Sequence, residues 1–251
     1  MLLNLLILGG TTEAMALGQR LALARVTGTM SLAGRVALPK HQPLPQRVGG
    51  FGGLAGLVQY LRDHRITHIV DATHPFAAQM STHAVAAAAQ TGIPLIALTR
   101  PAWVPQDGDT WQQVPDIAGA VAALARPAQR VLLAVGRIHL DDFAPNPQHH
   151  YVIRLVDPPR TPPPFPNHDV IISRGPFTPE ADLALLRDHS IDLIVSKNSG
   201  GTGARAKIDA ARVLGLPVVM IARPWVPTRT EAGTPDEILG WIAHADTDLG
   251  V

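Results

Sequence analysis

Short apolar runs bounded by Gly, Pro or Asp alternate with stretches of helical spacing along most of the chain, and this alternation restricts the fold more than any other feature. It is the pattern of βα units, in which a strand buried on both faces is followed by a helix that crosses back over a parallel sheet. A first series predicts strands at 2–8, 26–32, 68–71 and 95–98, with helices at 13–24, 54–64 and 77–91. A second predicts a helix at 117–124, strands at 131–135, 151–156, 170–173, 193–196 and 218–221, and helices at 179–189, 204–214 and 235–243. The first series reads as a doubly wound α/β half, and 251 residues suit two modest α/β domains.

The boundary is expected near Arg126-Pro127, where a helix ends and a strand begins, giving domains 1–127 and 128–251. A late return of the chain to the first domain is compatible with the pattern. Between Asp157 and Pro166, five prolines forbid regular structure and make a stiff connection inside the second half.

Composition removes several function classes. Twenty-one basic residues against twenty acidic ones leave no strongly basic surface for nucleic acid or an anionic membrane. No uncharged apolar run reaches the roughly 18–20 residues of a membrane span, so no membrane partner is expected. The absence of cysteine excludes disulfides, thiolate nucleophiles and Cys-ligated metals, and fits a cytoplasmic protein. Eighteen of the basic residues are arginine, which suits a ligand carrying several carboxylates or phosphates.

The run Leu6 to Glu13 turns from a buried strand through Gly9 and Gly10 into a helix. Such a turn presents backbone N–H groups and a helix dipole to an anion, so Gly9, Gly10, Thr11 and Thr12 are candidates for a dinucleotide pyrophosphate. Thr11 or Thr12 can equally cap the helix. No acidic residue stands between Ala14 and Arg62 to take the ribose hydroxyls of NAD, whereas Ser31 and Arg35 sit where the second strand should end. A 2′-phosphate fits there, so NADPH is the expected cofactor.

Gly49-Gly50-Phe51-Gly52-Gly53 lose much chain entropy on ordering, which points to backbone lying close to a ligand. Asp71-Ala72-Thr73-His74-Pro75-Phe76 leaves a strand at the sheet edge where open α/β folds bind ligands. Ser173 to Phe177 and Ser196 to Gly203 occupy the same kind of edge in the second half, and Lys197 there is one of only three lysines. A surface lysine is the plainer reading of Lys197. No Walker A, Gly-x-Ser-x-Gly or His-Glu-x-x-His run occurs, and His149-His150 reads as a solvated turn, so no metal is expected.

Five runs together resemble the precorrin-6A reductases of cobalamin biosynthesis: Ile7 to Ala14, Val48 to Gly53, Val70 to Ala77, Ser173 to Phe177 and Val195 to Ala211. The resemblance implies two Rossmann-like domains with mostly parallel sheets, NADPH on the first and a polycarboxylate tetrapyrrole in a cleft between them. It implies hydride transfer to one carbon–carbon double bond of precorrin-6A, giving precorrin-6B.

On that basis Gly50, Phe51, Gly52, Gly53, Thr73 and His74 fall to the nicotinamide half of the cofactor. Arg174, Lys197, Asn198 and Ser199 fall to the substrate, with Arg100, Arg137 and Arg223 as further carboxylate partners. Lys197 and His74 are the catalytic candidates, to stabilise charge and to supply a proton. The cobalt-precorrin-6A reductase of the anaerobic route and a dinucleotide-binding module without chemistry are the alternatives.

Overall fold

The computed structural model describes residues 3–34, 41–175 and 177–247. The first elements along the chain are β1 (Leu5–Leu8), α1 (Thr12–Leu23), β2 (Gly28–Leu32), β3 (Gln46–Val48), α2 (Gly53–Asp63), β4 (His68–Asp71), α3 (Ala78–Thr91) and β5 (Leu95–Leu98). There follow β6 (Thr110–Val114), α4 (Ile117–Ala123), β7 (Arg130–Ala134), β8 (His150–Leu155), β9 (His168–Ile172), α5 (Pro179–Asp188), β10 (Leu193–Lys197), α6 (Ala206–Leu214), β11 (Pro217–Ile221), β12 (Thr230–Ala232) and α7 (Pro235–Thr247).

The strands form two six-stranded sheets, ordered β12-β5-β4-β1-β2-β3 and β6-β11-β10-β7-β8-β9. Every neighbouring pair is parallel. Counted within its own unit, the first sheet has the order 3-2-1-4-5-6 of a dinucleotide-binding fold. The second has the same order with its sixth strand, β6, arriving first in the chain.

The chain divides into two compact units, Met1–Arg100 with Trp225–Val251, and Pro101–Pro224. This corrects the expected boundary at Arg126-Pro127. β6 pairs with β11 and so carries the segment after Arg100 into the second sheet. β12 pairs with β5 and returns the chain to the first. The three strands absent from the sequence reading, β3, β6 and β12, are all edge or near-edge elements with polar, largely exposed residues. An edge strand solvated on one side carries no continuous apolar run to betray it.

Alternation along β1 explains how one strand serves two layers. Leu5 and Ile7 pack with Leu17 and Leu21 of α1 and Ile238 and Ile242 of α7. Leu6 and Leu8 pack on the opposite face with Leu57 and Leu61 of α2 and Ala84 and Ala87 of α3. In the second unit, Leu132, Ile194, Val218 and Met220 pack against Leu186 of α5 and Ile208 and Ala211 of α6.

His149 is fully buried, its Nδ1 accepting from the Gln129 N–H at 3.1 Å and its ring facing the Leu124 carbonyl at 2.8 Å. His150 opens β8 and contacts Asp169 at 2.9 Å, a hydrogen bond that holds the Asp169 carboxyl below its ordinary range. The pair is thus a junction of strand starts, because the buried imidazole of His149 bonds the backbone at Gln129 and Leu124, and the solvated-turn reading is set aside.

The return of α7 to the first sheet has a direct test. Ile238→Ala removes a side chain that is 0% exposed, and is expected to cost about 2–5 kcal/mol. Hydrogen exchange should show the lost protection in 5–98; loss confined to 131–221 would place α7 with the wrong unit.

Candidate functional site

In a parallel sheet whose order reverses between two strands, the loops leaving them run to opposite faces and open a crevice at their carboxyl ends. In the first unit that point lies between β1 and β4, where Leu8 is in register with Asp71 on one side and Ser31 on the other. Those predicted residues of the first half that the structure describes therefore gather on one edge.

Gly10 has φ of +116°, which L side chains rarely adopt, and nothing stands within 4 Å of the place a Cβ would occupy. Thr12 is exposed at the first turn of α1. An open glycine turn under a helix N-terminus suits a pyrophosphate, so the residues present fit a dinucleotide there. Thr11 plays another part: its hydroxyl donates to the Ala72 carbonyl at 2.9 Å and accepts from the Ala14 N–H at 3.0 Å. It caps α1 and ties the β1 turn to the end of β4.

At the end of β2, the Ser31 hydroxyl accepts from Arg47 at 2.7 Å. Arg47, in register with Ser31 on β3, also donates to the carbonyls of Gly49 at 3.0 Å and Gly50 at 2.9 Å. Its guanidinium lies 3.9 Å over the Phe51 ring. One cation thus organises the whole glycine-rich loop. Gly52 in left-handed backbone precedes α2, and Gly53 begins it. Gly56 completes the arrangement, since a Cβ there would come within 1.7 Å of the Phe51 carbonyl oxygen. Arg35 lies outside the described residues.

Asp71 ends β4 with its side chain fully buried. Its Oδ1 accepts from the Thr73 N–H at 3.1 Å and hydroxyl at 2.7 Å. Its Oδ2 pairs with Arg229, whose side chain is 11% exposed. The Phe76 N–H donates to Nδ1 of His74 at 3.2 Å, which assigns the ring proton to Nε2. Arg100 forms an ion pair with Glu13.

In the second unit the order reverses between β7 and β10. Lys197 is the last residue of β10 and is 9% exposed, so it is not a surface lysine. Ser199 is buried, with its hydroxyl 3.5 Å from the Lys197 carbonyl. Asn198 uses both ends of its amide on the backbone of Trp103, accepting from its N–H at 2.8 Å and donating to its carbonyl at 2.9 Å. Arg223 donates to the carbonyls of Asn198 and Ser199, each at 3.1 Å. Arg137 is exposed just beyond β7. Arg174 follows β9 and pairs with Asp157 at 3.2 Å. Two strands, β7 and β8, separate the ends of β10 and β9, so Lys197 and Arg174 share an edge across about 14 Å of sheet.

Arg47, Arg229 and Trp103 are the residues the sequence reading passed over. Arg47 carried one signal, its place immediately before the glycine run, while Arg229 and Trp103 reach their partners across 158 and 95 residues of chain.

The sequence matches the family described as Precorrin-6x reductase CbiJ/CobK over residues 4–243. The chain belongs to this family. It is 54% identical to the precorrin-6A reductase of Rhodobacter capsulatus, over 99% of each chain. The solved structure titled CobK precorrin-6A reductase superposes with a TM-score of 0.93 at 54% identity, covering 96% of each chain. The cobalt-precorrin-6A reductase of Priestia megaterium is 30% identical, over 94% of this chain and 96% of its own. Membership of a reductase family with this fold implies a nicotinamide dinucleotide, in keeping with the turn at Gly10. Among the described residues no group of three or more His, Asp or Glu could hold a metal ion, and no helix is long and apolar enough to cross a membrane.

The Asp71–Arg229 pair is expected to hold the Thr73–His74 turn. Arg229→Gln leaves a buried carboxylate unpaired and should cost about 3–5 kcal/mol in urea unfolding. Adding Asp71→Asn should recover most of the loss, and additive losses would refute the coupling.

Proposed function

We propose that this chain catalyses the NADPH-dependent reduction of a carbon–carbon double bond of precorrin-6A, giving precorrin-6B, in cobalamin biosynthesis. The observation that carries the reading is identity of 54% with a precorrin-6A reductase along the full length of both chains. The lower identity of 30% to a cobalt-precorrin-6A reductase favours the metal-free substrate.

The reduced nicotinamide supplies the hydride, so the protein's task is to bind, orient and exclude water. Gly9, Gly10, Thr12 and the first turn of α1 receive the pyrophosphate, with Thr11 setting the turn. Ser31 and Arg47 receive the 2′-phosphate, in a stretch without any acidic residue to repel it, and Arg35 is assigned to the same phosphate from its place in the sequence. Gly50, Phe51, Gly52 and Gly53 form the loop beside the cofactor, and Thr73 with His74 faces its nicotinamide half. His74 donates the proton that completes the reduction.

In the second unit, Lys197, Ser199 and Arg174 receive carboxylates of the tetrapyrrole, with Arg137 at the end of β7 between them. Asn198 serves by shaping this edge. Cations spread across about 14 Å suit a broad ligand with several carboxylates better than a compact one.

The reading is tested by titrating the wild type, Arg35→Ala and Arg47→Ala with NADPH and NADH. Each variant should weaken NADPH by on the order of 1.5–3 kcal/mol, roughly 10- to 150-fold, with NADH much less affected. Equal losses for both cofactors would confine Arg47 to holding the loop. A wild type that turns over cobalt-precorrin-6A faster than precorrin-6A would reverse the assigned substrate.

A further inference from the structure

Lys207 stands in the first turn of α6, just after the glycine-rich loop of the second unit, and is 4% exposed. Its Nζ donates to the Ala204 carbonyl at 2.6 Å and lies 5.1 Å from the centre of the Trp103 ring. The charged groups facing it are Arg154 of β8 and Asp182 of α5. These two form their own ion pair, with side chains 9% and 4% exposed. The Arg154 guanidinium in turn stacks 4.0 Å over Phe177.

Packing alone does not account for an amine in this position. Arg154 and Asp182 already neutralise each other, and a methionine would fill the same space without desolvating a charge. What the amine adds is a hold on the loop. Trp103, under the amine, donates through its indole N–H to the Gly201 carbonyl at 2.7 Å and takes both ends of the Asn198 amide on its backbone. Lys207 and Trp103 together therefore grip the loop at Asn198, Gly201 and Ala204, directly beyond Lys197 and Ser199.

We propose that Lys207 is a positioning residue that sets the conformation of the 198–204 loop and thereby places Lys197 and Ser199 for the tetrapyrrole carboxylates. The consequence for the substrate rests on the function proposed above, whereas the hold on the loop does not.

The amine also makes the loop sensitive to pH. Burial, reinforced by the neighbouring Arg154 and opposed by Asp182, pushes the Lys207 ammonium down to about 7 from its ordinary 10.5. An opened loop that lets the amine reach water restores the ordinary value, so between about pH 7 and 10.5 the open state binds more protons. Opening is then favoured as pH falls from 10.5 toward 7, and levels off below 7.

The test is hydrogen exchange of peptides spanning 198–206 in the full-length wild type, Lys207→Met and Lys207→Gln between pH 6 and 9, corrected for intrinsic exchange rates. The wild-type opening equilibrium should fall by up to about tenfold per pH unit between 7 and 9. Neither variant should show that dependence, and Lys207→Gln, which keeps a donor, should open less than Lys207→Met. A Lys207→Met loop no more open than that of the wild type at pH 8, or a variant that keeps the wild-type pH dependence, would overturn the proposal.

In a second arm, Lys207→Met should raise KM for precorrin-6A about tenfold while kcat stays within threefold and NADPH affinity is unchanged. A wild-type KM in a variant with a loosened loop would overturn the placement of Lys197 and Ser199. Should the wild type fail to reduce precorrin-6A at all, the proposed function falls, and the exchange measurements alone decide the role of Lys207.

Discussion

Two parallel strands cannot be joined by a tight turn, so each must be followed by a crossover that begins at its carboxyl end. That constraint governs both units. It sends the loops after β1, β2, β3 and β4 to one edge of the first sheet, and those after β7, β8, β9 and β10 to one edge of the second. Where the strand order reverses, between β1 and β4 and between β7 and β10, neighbouring loops diverge and leave backbone exposed. Gly10, Thr73 and His74 stand at the first of these points, and Arg137 and Lys197 at the second.

Buried charge fixes the loops at both edges. Asp71 is fully buried yet accepts from Thr73 twice and pairs with Arg229, so its charge is matched while the turn toward His74 is held. Arg47 does comparable work without a carboxylate, bonding Ser31, Gly49 and Gly50 and lying on Phe51. In the second unit, Lys207, Trp103 and Arg223 each donate to carbonyls of the loop after β10, and the Arg154–Asp182 ion pair is buried behind it. A glycine-rich loop has high chain entropy, and side chains gripping its carbonyls are what restrict it.

Much of this was legible in the chain, and the failures have a common cause. β4 and β5 fall where the short apolar runs Ile69-Val70 and Leu95 to Leu98 indicate, because strands covered on both faces are mostly apolar. β3, β6 and β12 escaped because solvated edges do not demand such runs. Gly10 was legible since a strand-to-helix turn of adjacent glycines is a local event. Arg47 was not, because its relation to Ser31 depends on the pairing of two strands separated by a long connection. Asn198 and Thr11 were recognised as special, but a polar side chain beside a ligand edge and one tying down a backbone look identical until the partner is known. The domain boundary failed for the same reason, since a helix end at Arg126-Pro127 says nothing about which sheet the preceding strand joins.

The α/β class, the parallel sheets and the glycine turns at their carboxyl edges are readable from the chain alone, since periodicity and local backbone freedom are properties of neighbouring residues. Its five runs also determined the family. Folding alone settles that the segment carrying β12 and α7 rejoins the first unit, that Asp71 meets Arg229, that Asn198 meets Trp103, and that Lys207 lies over the Trp103 ring. Each of these is a pairing between distant segments, and burial supplies its energetic weight: a charge or amide withdrawn from water must find a partner, and only the packed chain says which one.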